Sequence, residues 1–170
     1  VDTVAVKKPT LKIAYVNSDS LLNKYDYFSE LEEGLKSQQQ RMEAEYRRRA
    51  TSLQQEIANF QKNAASMGLQ KAQAKEKELM QKQQNLMQYQ EQSSQRLIEQ
   101  ESDLNEKLYK KVSEYLRGYA QTHDIELILT YTQNSGVLYA NDSMNITEQV
   151  IANLNQEYAD EQKAESQKDR

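Results

Sequence analysis

Apolar residues along the middle of the chain recur at helical spacing. Leu31, Met42, Leu53 and Ala64 stand eleven apart, as do Leu35, Tyr46 and Ile57, and further on Leu86, Leu97, Leu108 and Tyr119. Eleven residues close about three helical turns, so each series lines one face. A repeat near 3.67 residues per turn favours nearly straight or slightly right-handed packing over a tight left-handed supercoil. From Phe28 to Tyr119 there is no proline and only three glycines, Gly34, Gly68 and Gly118. Gln, Glu, Lys, Ala, Leu and Met dominate this stretch, the residues that lose least entropy in a helix.

The segment Ala64 to Gly68 breaks the pattern. A glycine just past a helix end takes a left-handed backbone without a Cβ penalty, so Gly68 reads as a C-cap. Two helices are predicted, from about Tyr27 to Ala65 and from about Leu69 to Gln121. The shorter would be roughly 57 Å long at 1.5 Å per residue. The apolar stripe is thin, because Gln39, Arg49, Gln83 and Gln90 fall near positions where a coiled coil wants apolar residues. The expectation is a weakly bound, flexible helical hairpin over residues 27–107, turning near 64–68 and projecting from a small body.

The flanks carry strand spacing. In LKIAYVNSD, Leu11, Ile13 and Tyr15 point one way and Ala14 and Val16 the other, which predicts a strand buried on both sides. Asn17-Ser18-Asp19-Ser20 offers helix caps. A short helix should follow through Leu21, Leu22 and Tyr25, with Tyr25, Tyr27 and Phe28 packing the hairpin base. Leu108, Val112, Tyr115, Leu116 and Tyr119 return the second arm to a core, and Gly118 with Gln121-Thr122-His123-Asp124 ends it.

IELILTYTQ then places Ile125, Leu127, Leu129 and Tyr131 on one face. Asn134-Ser135-Gly136 reads as a turn with Gly136 at positive φ, and VLYA, with Val137 and Tyr139, as a third strand. Residues 125–140 are therefore predicted as a β-hairpin. Asn145 with Glu148 resembles a capping box opening a last helix through Val150, Ile151, Leu154 and Tyr158. Residues 1–10 read as a flexible lead-in and 159–170 as a disordered tail.

The body, residues 11–26 and 108–158, then has three strands and two short helices, a poor core with unpaired edges. Oligomerisation through Ile13, Tyr15, Val16, Ile125, Leu127, Leu129, Val137 and Tyr139 would complete it. The fold class is α+β: a long antiparallel coiled-coil hairpin inserted between strands of a small β-rich body.

Composition agrees with an elongated chain. Apolar residues make up 37 % and mean hydropathy is −0.98. No run of eighteen apolar residues spans a membrane. The absence of cysteine leaves no disulfide framework, thiol nucleophile or thiolate metal site. The chain opens at Val1, which fits a leader removed before maturity. Charge is uneven. From Lys36 to Lys82 there are ten basic and five acidic residues, a window of +5 within a net charge of −4. That basic tract either steers acidic partners or is a solvated surface with pairs such as Glu43 with Arg47.

No catalytic pattern is present. The single histidine, His123, sits at a predicted helix-to-strand junction, and no glycine-rich phosphate loop occurs. No cofactor, metal or enzyme activity is expected. Nucleic acid is not an expected partner either, for the chain is acidic overall and lacks the binding signatures. The glycosylation triplets Asn141-Asp142-Ser143 and Asn145-Ile146-Thr147 matter only in a glycosylating host.

The flanking segments KIAYVNSDSLL (12–22), HDIELILTYT (123–132), GVLYAND (136–142) and NITEQVIANL (145–154) resemble the Skp/OmpH family of periplasmic chaperones. The middle matches in layout and composition alone. The resemblance implies a homotrimer in the periplasm of a Gram-negative bacterium. Its three helical tentacles would hold unfolded outer-membrane proteins without ATP. The acidic pI of about 5.2 departs from the basic character of many relatives. Contact with lipid or lipopolysaccharide stays open, since those basic positions have no residue-by-residue match here.

Client capture would rest on apolar contacts plus long-range attraction. Met67, Met80, Met87 and Tyr89 are candidate contacts because methionine suits promiscuous surfaces. Met67, at the turn, is the strongest candidate for an exposed contact. Arg47, Arg48 and Arg49 would supply attraction. Met42, Tyr46 and Phe60 read better as coiled-coil core. The rival function is a structural or tethering coiled coil of the cell envelope. A prefoldin-like arrangement is set aside, since prefoldin places hairpins between its helices and here the helices lie between strands.

Overall fold

The computed structural model describes residues 11–132 and 135–168. In order they form β1 (Ile13–Asn17), α1 (Ser18–Lys24), α2 (Asp26–Asn63), α3 (Leu69–Thr122), β2 (Leu127–Tyr131) and α4 (Thr147–Lys168). Two compact units result. One takes in the described residues up to Leu31 and those from Glu106 onward; the other is Glu32–Asn105.

In the first unit the two strands pair in parallel, Ile13 opposite Leu127 through Asn17 opposite Tyr131. Parallel pairing suits strands separated by a long helical excursion, which serves as the crossover. Ala14, Tyr15 and Val16 are all buried, so β1 is covered on both faces as its apolar run predicts. The Tyr15 ring packs against Tyr131 at 5.2 Å between centroids.

The predicted β-hairpin over 125–140 does not form. Residues 137–140 carry no strand, with Leu138 and Tyr139 80 % or more exposed. Among the described residues the 137–140 segment pairs with neither strand, and the sheet is extended on the β1 side only, by the segment that leads into α4. Ile146 N–H donates to the Tyr15 carbonyl at 3.1 Å, and Asn17 N–H to Thr147 Oγ1 at 2.8 Å. Gly136 has no positive φ. The turn residue Asn134 lies outside the described residues, as does the lead-in 1–10.

Helix ends follow local chemistry. Asn17 caps α1, its side chain accepting from Ser20 N–H at 2.8 Å. After α2, a tight turn over Ala64–Ser66 leads to Gly68 at φ +77°, the left-handed residue expected there. Gly118 does not end α3, since it lies inside the helix. Asp124 at φ +53° turns the chain, and Ile125 N–H donates to the Ala120 carbonyl at 2.9 Å, a Schellman-type closure. The predicted capping box is also replaced. Asn145 Oδ1 accepts from Thr147 N–H and Oγ1–H, while Glu148 pairs with Lys24 at 2.6 Å.

The core of this unit is helical. Val16, Leu21, Tyr25, Leu108, Val150, Ile151, Leu154 and Tyr158 are buried together, with Tyr27, Phe28, Val112, Tyr115 and Leu116 packed against them. The Tyr158 hydroxyl donates to Glu30, and Lys111 lies over the Tyr27 ring while pairing with Glu161. Helix α4 continues through Lys168, into the stretch read as a disordered tail. Pairs one turn apart, such as Gln156 with Asp160 at 3.0 Å, favour helix there.

Candidate functional site

The second unit, Glu32–Asn105, is built from the long helices alone. Its best-buried side chains are Leu53 of α2, a member of the eleven-residue series, and Leu79 of α3, which stands seven residues before Leu86. Cross-helix contacts run in a regular order. Glu56 meets Lys75 at 3.0 Å and Lys82 at 2.7 Å, and the Arg49 guanidinium lies 4.3 Å from the Tyr89 ring centre. Contacts on α3 thus move towards its C-terminus as those on α2 move towards its N-terminus.

The seam is polar at other places than the pattern suggests. Gln39, Arg49, Gln83 and Gln90 are exposed; the half-buried polar residues include Ser37, Gln38, Glu45, Glu56, Lys75, Lys82, Ser93 and Gln100. Gln100 Oε1 is buried and has no hydrogen-bond partner. Glu56, Lys75, Glu78 and Lys82 form one network, with Lys75–Glu78 at 2.9 Å and Lys82–Glu78 at 3.0 Å. The hydrogen bond from Lys82, then that from Lys75, holds the Glu56 carboxyl below its usual range. Glu78 is lowered in the same way, by Lys75 first. Lys75 is raised chiefly by Glu78 and Lys82 chiefly by Glu56. An open groove of about 500 Å³ runs beside this seam, lined by Arg48, Arg49, Leu53, Glu56, Lys82 and Leu86 among others.

The basic tract is internally paired. Arg47 pairs with Glu43; Arg48 and Arg49 both meet Glu45, each with a closest approach of 2.7 Å. These bonds, Arg48's first, lower the Glu45 carboxyl, and Glu45 raises the Arg48 guanidinium. The three arginines thus share two carboxylates, which offsets part of their positive charge.

The apolar candidates separate. Met80 and Met87 are more than half exposed on α3. Met67 is half-buried at the turn, and Tyr89 is half-buried beneath Arg49. Met42, Tyr46 and Phe60 are half-buried too. Sequence reasoning missed Leu69 and Ile98, exposed by 75 % and 62 %. The signal was available: Leu69 precedes Met80 by eleven residues and Ile98 follows Met87 by eleven.

In the first unit, Tyr15 and Val16 are spent on the chain's own core, whereas Leu127 and Tyr139 are exposed. Ile13, Ile125, Leu129 and Val137 are half-buried. Among the described residues there is no cluster of metal-ligating side chains, and no helix is long and apolar enough to cross a membrane.

The family model described as outer membrane protein (OmpH-like) matches residues 12–154. No curated protein matches the chain. Among solved structures, the crystal structure of a proposed outer membrane chaperone (OmpH-like) from Caulobacter crescentus CB15 superposes with a TM-score of 0.76. The alignment covers 92 % of each chain at 16 % identity, a likeness of fold.

Proposed function

Since the chain belongs to the OmpH-like family of outer membrane proteins, we propose that it is an ATP-independent holdase chaperone of the periplasm. Its clients are unfolded outer-membrane proteins, which it keeps soluble in transit. The α2–α3 pair acts as an antiparallel coiled-coil arm, and three chains share a body so that their arms hold one client between them.

The observation that carries this reading is the placement of Met80 and Met87. A chain with a mean hydropathy of −0.98 nevertheless leaves both methionines more than half exposed. Exposed, flexible, polarizable side chains suit weak contact with many sequences and need no fixed pocket. A polar seam that opens and closes at low cost suits clients of varied size. The trimer is supported by what the single chain leaves uncovered: Leu127 on β2, with Leu138 and Tyr139 in the following segment. Contact with a second copy would give these apolar groups a partner.

The test is aggregation. An unfolded β-barrel protein is diluted from urea into buffer with the purified chain and no nucleotide, and light scattering is followed. Suppressed scattering at a fixed ratio of chaperone to client is expected. Scattering identical to that of the client alone would remove the holdase reading.

A further inference from the structure

We infer that the client-holding surface is one face of α3, formed by Leu69, Met80, Met87 and Ile98, and that it takes an extended, unfolded polypeptide. The inference rests on the holdase reading and deepens it by assigning the surface. Spacings of 11, 7 and 11 residues return to within about 20° of the same azimuth at ~100° per residue. The four side chains therefore form a single stripe. All four are exposed by 54 % or more, and no residue of α2 has a large apolar side chain so exposed among the described residues. Lys82 and Tyr89, which meet α2, lie about 160–180° around the helix from Met80. The stripe thus faces away from the seam, so the two helices of the arm are unequal: α2 packs and pairs its charges, α3 presents apolar surface.

The occupant follows from the stripe's flanks and spacing. Gln73, Gln84 and Ser94 border it, with Glu76 and Glu91, all exposed, and Lys77 at its edge. Neutral amides and carboxylates do not attract an anionic headgroup or a nucleic acid. A second helix is also a poor fit, since a helical seam needs an apolar residue every three or four positions. Four side chains are far fewer than the roughly 20–30 residues a side of a stable interface, so a permanent contact with another copy is not supported. An extended chain can bring separate apolar side chains to separate anchors, and glutamine side chains can bond its exposed backbone.

The test uses the full chain carrying Met80→Gln, Met87→Gln and Ile98→Gln together. Its control carries Ala44→Gln and Ala58→Gln on exposed positions of α2. Affinity for a fluorescently labelled, urea-unfolded β-barrel protein is titrated in parallel with native mass and the thermal melt. The α3 variant should lose about tenfold or more in affinity, with mass and melt unchanged, while the α2 control binds as the parent does. Parent-like binding by the α3 variant would overturn the assignment while leaving the holdase reading intact. Loss of the oligomer, or loss of binding to phosphatidylglycerol vesicles with client affinity kept, would assign the stripe to a second copy or to lipid and overturn it. Failure of the parent to bind client at all would remove the holdase reading beneath it.

Discussion

Two tyrosines in one core place opposite demands on their hydroxyls. Tyr25 is fully buried and its hydroxyl has no partner among the described residues. Burial pushes its pKa well above the ordinary tyrosine value, with Glu161 adding to the effect. Tyr158 is also pushed up, to about 12, by burial first and then by its bond to the Glu30 carboxylate. An unpaired buried hydroxyl costs stability and a charge-assisted one adds to it. Tyr25→Phe should therefore stabilise the fold by about 1 kcal/mol, and Tyr158→Phe should destabilise it by about 1–2 kcal/mol. Urea unfolding measures both, and a shared sign would contradict the assignment. A second residue-scale prediction concerns Glu56. Its folded carboxyl is held below the ordinary 4.5, so the unfolded chain binds more protons in that range. The contribution is fully present above pH 4.5 and lost as pH falls through the folded value. Circular dichroism melts of the parent should drop in temperature below that pH, and Glu56→Gln should show a shallower fall. Equal slopes would mean the network does not hold the seam.

Several individual elements were legible in sequence from local signals, though the Gly136 turn and the Asn145–Glu148 capping box were not among them. Gly68 marks the turn because its left-handed φ suits glycine, and Asn17 caps α1 because its side chain reaches the backbone three residues on. The long helices follow from propensity and period. What the sequence hid was pairing between distant segments. VLYA has strand composition yet pairs with neither strand, while the Asn145–Thr147 segment, which lacks strand composition, takes the outer edge of β1. The end of α3 falls within a residue of the expected Gln121, but Asp124 and not Gly118 adopts the left-handed turn that closes it. The stripe on α3 was half visible, since Met80 and Met87 stand out by type and Leu69 and Ile98 only by register. The two arm glycines give an element-scale prediction. A methyl group at Gly34 or Gly68 meets nothing within 4 Å, so backbone conformation decides the outcome. Gly34→Ala, inside α2, should stabilise by about 0.5–1 kcal/mol. Gly68→Ala, at φ +77°, should destabilise by about 1 kcal/mol. Thermal melts of the two variants should move in opposite directions; movement together would contradict the turn.

At the scale of the whole molecule, buried core and exposed apolar side chains on the long helices lie largely in different parts of the chain. Buried apolar side chains collect around Tyr25, Val150 and Leu154, while the Glu32–Asn105 unit has only Leu53 and Leu79 well buried among its described residues. A unit with so little core is held by charge networks and helix propensity, and it leaves methionine in solvent. That division suits a protein whose task is to hold other chains loosely. The most direct measurement is native mass, with and without a denatured β-barrel outer-membrane protein diluted in, and with no nucleotide present. A mass of three chains that shifts by one soluble client is expected of a trimeric holdase. A stable monomer, or a trimer that leaves the client to aggregate, would contradict that reading.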